Sequence, residues 1–261
     1  MHTVPMIAIQ DLRMMYDGRY VLQGIDLEAG KGQIIGYIGP NGAGKSTTVK
    51  IMLGLARGYT GSVSIFGRDI ADGDPSYKQR IGYVPEVAEL YETLTASEYL
   101  TFTGELYGLS AAAADYKASR LIEAFGLKDA YHSRMSTYSK GMRQKVLLIS
   151  SLLHNPDLVF LDEPLSGLDA NSMLIVKEIL SRLAAEGKTI FYSSHIMDIV
   201  EKISSRIILI NEGRIVADGH FSELQGLSEQ GTLEGVFNQL TGFDRHEAIA
   251  DEFVSIVQEV V

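Results

Sequence analysis

The 261 residues contain no cysteine. That excludes a disulfide framework, a thiolate metal site and a cysteine nucleophile, and it fits a reducing compartment such as the cytosol. The six histidines are scattered, without the close spacing that gathers a metal. No stretch approaches the roughly 20 apolar residues that cross a bilayer. The longest apolar run, Val146 to Leu153, is broken by Ser150 and Ser151. The N-terminus lacks the basic-then-apolar order of a signal peptide, so any membrane process is expected to be served through another subunit. Positive charge is scarce: 23 Lys and Arg stand against 33 Asp and Glu, for a net charge of -10 and a pI near 5.1. Broad binding to a nucleic-acid backbone needs a basic face, and no nucleic-acid partner is expected. With 46% hydrophobic residues the chain can bury a substantial core, as one compact unit with subdomains and room for an extension.

What is present is organised around Gly39 to Thr47, GPNGAGKST, which follows the apolar run Ile34 to Ile38 and leads into Thr48 to Leu53. This reads as strand, glycine-rich loop and helix start. In the stretch Gly39, Pro40, Asn41, Gly42, Ala43 and Gly44 the glycines let the backbone curl until successive N–H groups, Pro40 excepted, point inward, and the helix N-terminus adds a dipole that favours anions. In the pattern G-x-x-x-x-G-K-[ST], Lys45 reaches β- and γ-phosphates as a point charge, the Ser46 hydroxyl ligates the Mg²⁺ bridging them, and Thr47 ends the stretch that cradles the phosphates. The expected ligand is a nucleoside triphosphate with Mg²⁺.

In chain order, Ile7 to Met14 and Val21 to Leu27 read as an antiparallel pair turned at Asp17 and Gly18, with Tyr16 between them either stacking on a purine or simply half-buried at a strand end. Ser62 to Phe66 and Ile81 to Val84 are further strands, the second closed by Pro85 and Glu86. From Thr95 to about His154 the pattern turns helical. Thr95 to Glu98 is a capping box, with Leu100, Phe102, Leu106 and Leu109 on roughly one face. Further helices run from about Ala113 to Phe125 and from Gly141 to Leu153. The α/β pattern resumes directly afterwards, so this all-helical stretch is an inserted subdomain.

It resumes at Leu158 to Leu161, an apolar run that a parallel strand buried on both faces would show, with Asp162 and Glu163 at its carboxyl end. Ligands of open parallel sheets bind beyond those ends. Asp162 is therefore expected as an outer-sphere Mg²⁺ partner and Glu163 as the group that polarises a water attacking the γ-phosphate. His195, two residues past the strand Thr189 to Ser193, falls at the same sheet edge, where an imidazole would bond both phosphate and water. A hairpin follows around Asn211, Glu212 and Gly213.

Taken together, GPNGAGKST, the YSKGMRQK segment at Tyr138 to Lys145, VFLDEPLSGLD at Val159 to Asp169 and the Ser194–His195 pair resemble the ATP-binding cassette of an ABC transporter, in the family's order, over residues 4 to about 220. The resemblance implies an α/β fold: a P-loop NTPase core with a mostly parallel sheet, an N-terminal antiparallel β subdomain and an inserted α-helical subdomain. It places the cassette at 1–220, the helical insert at about 87–156 and a C-terminal helical extension at 221–261. It also implies that two cassettes sandwich two ATP molecules. In that dimer Ser139, Lys140, Gly141, Met142 and Asp169 complete the opposite subunit's site, at a helix N-terminus expected to be left unused by its own chain.

Two departures from the family pattern stand out. The usual LSGGQ reads YSKGM, with Lys140 and Met142 replacing a glycine and the glutamine, and the glutamine that usually contacts Mg²⁺ is Glu86. Both variants resemble those of bacterial exporter cassettes for drugs, peptides, bacteriocin immunity or surface polymers. The expected protein is the ATP-hydrolysing subunit of such an exporter. It dimerises on ATP with an identical or related cassette, sits on the cytoplasmic face of the cell membrane and drives separate permease subunits.

Two alternatives come from other classes. A soluble ABC ATPase acting on ribosomes or DNA usually carries two cassettes or a coiled-coil insert, which this chain lacks. A nucleotide-gated immunity or regulatory module with slow turnover is suggested by Glu86. In the tail, Phe221 to Leu224 and Thr232 to Leu240 read as short helices. Asp244 and Glu247 would cap a last helix whose stripe of Ile249, Phe253, Ile256, Val257 and Val260 either packs on its own cassette or meets a partner.

Overall fold

A computed structural model of the chain describes residues 4–87, 90–228, 231–242 and 246–258. The chain runs through β1 (Ile7–Tyr16), β2 (Arg19–Ala29), β3 (Ile34–Ile38), α1 (Lys45–Met52), β4 (Thr60–Ile65), β5 (Arg68–Asp69) and β6 (Ile81–Val84). The helices α2 (Ala96–Leu106), α3 (Ala111–Ala124) and α4 (Lys140–Leu152) follow. Then come β7 (Leu158–Asp162), α5 (Ala170–Ala185), β8 (Thr189–Ser193), α6 (Met197–Ile203), β9 (Arg206–Asn211) and β10 (Arg214–Gly219). The tail holds α7 (Phe221–Leu224), α8 (Leu233–Thr241) and α9 (His246–Gln258).

These strands form two sheets. The antiparallel one has the order β2-β1-β4-β5, and the six-stranded one the order β10-β9-β3-β8-β7-β6, parallel except for the β9–β10 hairpin. The central strands are apolar because both faces are covered: β3 and β8 are buried at every position. One face packs α1 and the antiparallel sheet through a core that includes Ile7, Leu22, Tyr37, Ile51 and Phe160. The other packs α5, α6 and α8 through Leu161, Val176, Tyr192, Val200 and Val236. A third cluster, with Leu100, Ile122, Tyr131 and Val146, lies inside the helical insert. The expected α/β fold with an N-terminal antiparallel sheet and inserted helices is the fold observed. Among the described residues no helix is long and apolar enough to cross a membrane.

The capping box forms as expected, with Glu98 N–H donating to Thr95 Oγ1 at 3.1 Å and Thr95 N–H donating to Glu98 Oε2 at 2.8 Å. The face of α2 differs from expectation. Ala96, Leu100 and Gly104, spaced by four, are buried, whereas Phe102 and Leu106 are 48% and 61% exposed. Phe102 stands two positions, or about 200°, from Leu100 and so points away from it. On α9 the apolar residues Ile249, Phe253, Ile256 and Val257 are all more than half exposed, so this stripe does not pack on its own cassette. Asp244, the side chain of Glu247 and Val260 lie outside the described residues.

His154 ties the insert to the large sheet. Its ring stacks on Tyr107 at 3.6 Å between centroids, and its Nε2–H donates to the Ile81 carbonyl at 3.0 Å, where β6 begins. Nδ1 is buried without a hydrogen-bond partner among the described residues, so a second proton there would have no acceptor among them. Burial above all, with Lys117 and Lys188 adding to it against the Ile81 carbonyl, holds this imidazole below the ordinary value of 6.5. Its stabilising contribution is therefore complete above that value and is lost as pH falls below it toward the lowered folded value. The thermal midpoint of the wild type is expected to drop more between about pH 7.5 and about pH 5.5 than that of His154→Gln, which keeps a donor but does not titrate. Equal drops in parallel melting curves would refute the assignment.

Candidate functional site

Strand β3 ends at Ile38, and the loop Gly39–Gly44 turns the chain into α1. Gly44, the N-cap of α1, has φ 110 and offers no side chain to the first-turn N–H groups. The helices α2, α3, α4, α5 and α8 are all capped by side-chain oxygens of Thr95, Ser110, Ser139, Asp169 and Thr232. The positive end of α1 is thus left for an external anion. A Cβ at Gly44 would lie 2.6 Å from Leu22 Cδ2, and one at Gly39 would lie 2.2 Å from the Ile210 carbonyl oxygen. The loop is therefore seated between the β1–β2 and β9–β10 hairpins, and Gly213 N–H fixes it by donating to the Ala43 carbonyl at 3.0 Å. Below it the buried Tyr37 hydroxyl meets Thr48 Oγ1 at 3.1 Å, and Thr48 donates to the Gly44 carbonyl. Desolvation pushes the Tyr37 phenol well above its ordinary range, so it stays neutral.

A cavity of about 150 Å³ opens above the loop, lined by Val21, Asn41, Gly42, Gly44, Lys45, Ser46, Thr47, Glu86, Asp162, Glu163 and His195. Gly39, Pro40 and Asn41 also line a neighbouring cavity of about 380 Å³ with His195, Phe237 and Thr241. The larger cavity of about 960 Å³ near Lys31 and Arg206 includes none of these residues. Lys45 Nζ donates to the carbonyls of Gly39 at 2.6 Å and Pro40 at 3.1 Å. Burial lowers its pKa, and the charges of Asp162, Glu163 and Glu86 act against that shift.

Strand pairing explains the acidic end. In the parallel ladder Asp162 faces Ser193, whose hydroxyl donates to its carboxylate. Glu163 accepts from Ser194 Oγ at 3.2 Å and lies 3.6 Å from His195 Nε2. Desolvation raises the Glu163 pKa, opposed by His195 and Ser194, so this carboxyl holds a proton more readily than a free one. Among the described residues no group of three or more His, Cys, Asp and Glu could hold a metal unaided. The Ser46 hydroxyl and Asp162 fit an ion that takes its remaining ligands from phosphate and water, as Mg²⁺ does.

Other expected residues lie elsewhere. Tyr16 is at the exposed end of β1, paired with Arg19, outside the lining of the 150 Å³ cavity. Ser139 is exposed, and its hydroxyl accepts from its own Met142 N–H at 3.2 Å. The expectation that the chain leaves the α4 terminus unused is corrected by that bond: a serine at the N-cap serves its own helix first. Lys140 Nζ donates to Ser166 Oγ at 3.0 Å, Gly141 is half-buried and the Met142 side chain packs on the helical cluster. Asp169 caps α5 by accepting from Ser172 N–H at 2.9 Å, and the Ser172 hydrogen bonds hold its carboxyl below the usual range. Reading the sequence missed Val21, Ser193, Phe237 and Thr241. Ser193 alone carried a signal, standing opposite Asp162 once the two strands are paired.

Comparison with known proteins places this geometry in context. The family model described as ABC transporter matches residues 22–166. The daunorubicin/doxorubicin resistance ATP-binding protein DrrA of Streptomyces peucetius is 37% identical over 227 residues, 86% of this chain and 69% of that protein. A fluoroquinolones export ATP-binding protein of Mycobacterium tuberculosis is 39% identical over 204 residues, 78% of this chain and 66% of that protein. A solved ATP-binding subunit of an ABC transporter superposes with a TM-score of 0.84 at 33% identity, covering 90% of this chain and 99% of that one.

The seating of Gly44 carries its own test. An added methyl meets Leu22 Cδ2 and the Val21 carbonyl in a left-handed backbone, so Gly44→Ala is expected to lower unfolding stability by about 1–3 kcal/mol. Urea denaturation of the nucleotide-free protein measures this, and an unchanged midpoint would show that the loop is free to shift.

Proposed function

This chain belongs to the ABC transporter family of ATP-binding cassettes, and from that premise we propose that it is the ATP-hydrolysing subunit of an exporter. The observation that carries the reading is the meeting of Lys45, Ser46, Asp162, Glu163 and His195 around one cavity at the uncapped terminus of α1. The names of the DrrA and fluoroquinolone relatives support the exporter class.

In the proposed cycle, ATP places its phosphates against the N–H groups of the Gly39–Thr47 loop and the adenine against the exposed ring of Tyr16. Lys45 exchanges the carbonyls of Gly39 and Pro40 for β- and γ-phosphate oxygens, gaining charge-assisted bonds. Ser46 and Asp162 would hold Mg²⁺, whose charge offsets that developing on the phosphate oxygens. Glu163 takes the proton of the attacking water, and desolvation, by raising its pKa, makes it a stronger base than a free carboxylate. His195, 3.6 Å from the Glu163 carboxylate, would steady that water and the γ-phosphate.

One chain has one loop and one YSKGM segment, so a second cassette would supply Ser139, Lys140, Gly141, Met142 and Asp169 across the interface. The Ser139 hydroxyl would then leave Met142 for the partner's nucleotide. The division into a cassette at 1–220 with its insert at about 87–156 and an extension at 221–261 accompanies this reading. So does a position on the cytoplasmic face of the membrane beside permease subunits.

Glu86 favours a second reading. A carboxylate that lines the cavity where a neutral glutamine is usual adds negative charge near the phosphates, which suits a slow, ATP-gated immunity or regulatory module. Glu163→Gln separates the two. For the exporter subunit it is expected to cut turnover about 10²- to 10⁴-fold while keeping ATP binding, and to accumulate an ATP-dependent dimer in gel filtration. A wild type that is itself slow, closing on ATP into a stable dimer without the variant's help, would favour the gated module. A variant with normal turnover would overturn the role of Glu163.

A further inference from the structure

Helix α4 grips the loop that leaves Glu163 along one face. Gln144 is only 5% exposed, and its Nε2 donates to the Pro164 carbonyl at 3.0 Å. One turn earlier Lys140 Nζ donates to Ser166 Oγ at 3.0 Å, and a Cβ on Gly141 would stand 2.7 Å from the Gly167 carbonyl oxygen. Positions 140, 141 and 144 share one side of the helix.

The gripped loop starts in a costly conformation. Glu163 is a non-glycine residue at φ 47, and it precedes a proline, which further restricts its backbone. A conformation of this kind persists only where surrounding bonds over-determine it. Two of them are backbone bonds, Glu163 N–H to the Ser193 carbonyl and Ser166 N–H to the Glu163 carbonyl, each at 3.1 Å. A further restraint is the Gln144 side chain from the helical insert, and it holds the peptide next to the carboxylate.

We propose that Gln144 is a positioning residue for Glu163: its buried amide pins the Pro164 carbonyl and so keeps the neighbouring carboxylate aimed into the phosphate cavity. The proposal rests on Glu163 being the general base. Without the amide, the Pro164 carbonyl loses this partner and the loop has one restraint fewer against relaxing the Glu163 backbone. Binding of ATP depends on the loop at Gly39–Thr47 and is left intact.

The test is Gln144→Met, which keeps the length and removes the donor, made in the wild type and in Glu163→Gln. In the wild type kcat is expected to fall about 10- to 100-fold, the range a misplacement of about 1 Å produces. KM for ATP is expected to stay within about two-fold, since the lost interaction acts on the reaction rather than on binding. In Glu163→Gln the same change is expected to leave single-turnover hydrolysis unaltered, because the group it positions is gone. An unchanged kcat in the wild type overturns the proposal, and so does an equal factor lost in both backgrounds, which would mark a general structural effect. If Glu163→Gln alone leaves turnover intact, the base assignment falls and this proposal falls with it; a slowed Glu163→Gln with a silent Gln144→Met overturns only the present one. Should Gln144→Met not fold, Gln144→Asn sets the amide one methylene back and is read the same way, with a smaller loss expected.

Discussion

Three carboxylates, Glu86, Asp162 and Glu163, line one cavity whose lining includes a single lysine, Lys45. Much of the structure can be understood as the means of holding that imbalance. The strand order puts β8 between β3 and β7, so the carboxyl end of β8 lies between the phosphate loop and the acids. That is where Ser193, Ser194 and His195 stand, two hydroxyls that donate to the two carboxylates and an imidazole 3.6 Å from the second. Without them Asp162 and Glu163 would face each other across one peptide with little but solvent to separate their charges. With them the acidic side of the cavity still favours a cation such as a metal bound to phosphate, while the bare terminus of α1 favours the phosphate itself.

What the sequence made legible follows from how local the physics is. The phosphate loop, the capping box at Thr95 and the turn at Asn211–Gly213 depend on residues within a few positions of one another, and each forms where expected. The ends of β7 and β8 were legible for a related reason, since continuous apolar runs mark strands buried on both faces and the charged residues after them mark the edge. The site residues that escaped notice belong to pairings set by the tertiary fold. Phe237 reaches the neighbourhood of Gly39 only because α8 packs beside α6, and Gln144 looks like any polar helix residue until Pro164 is found over it. The errors have equally specific causes. Leu100 and Phe102 were grouped by hydrophobicity although their spacing puts them on different sides of the helix. The N-terminus of α4 is read from sequence as unused by its own chain, but the Ser139 hydroxyl accepts from Met142 N–H, a bond that depends on the rotamer and not on the spacing.

Helix α4 then deserves its place beside the phosphate loop in any account of mechanism. Its N-cap is Ser139, which would turn to a second cassette's nucleotide, and its next turn carries the side chains that hold Pro164 and Ser166. Its far end reaches the His154 junction with β6, the strand that leads to Glu86. An α-helix of 13 residues is a stiff body about 20 Å long. Movement at Ser139 would therefore reach the loop after Glu163 and the strand before Glu86, because the contacts along the helix are hydrogen bonds and close packing rather than flexible linkers. If Gln144 positions Glu163 as proposed, a second cassette's ATP bound at Ser139 would be sensed at Glu163 through it. The left-handed backbone of Glu163 supplies the responsive part, since a conformation held only by its surroundings changes when one restraint is altered.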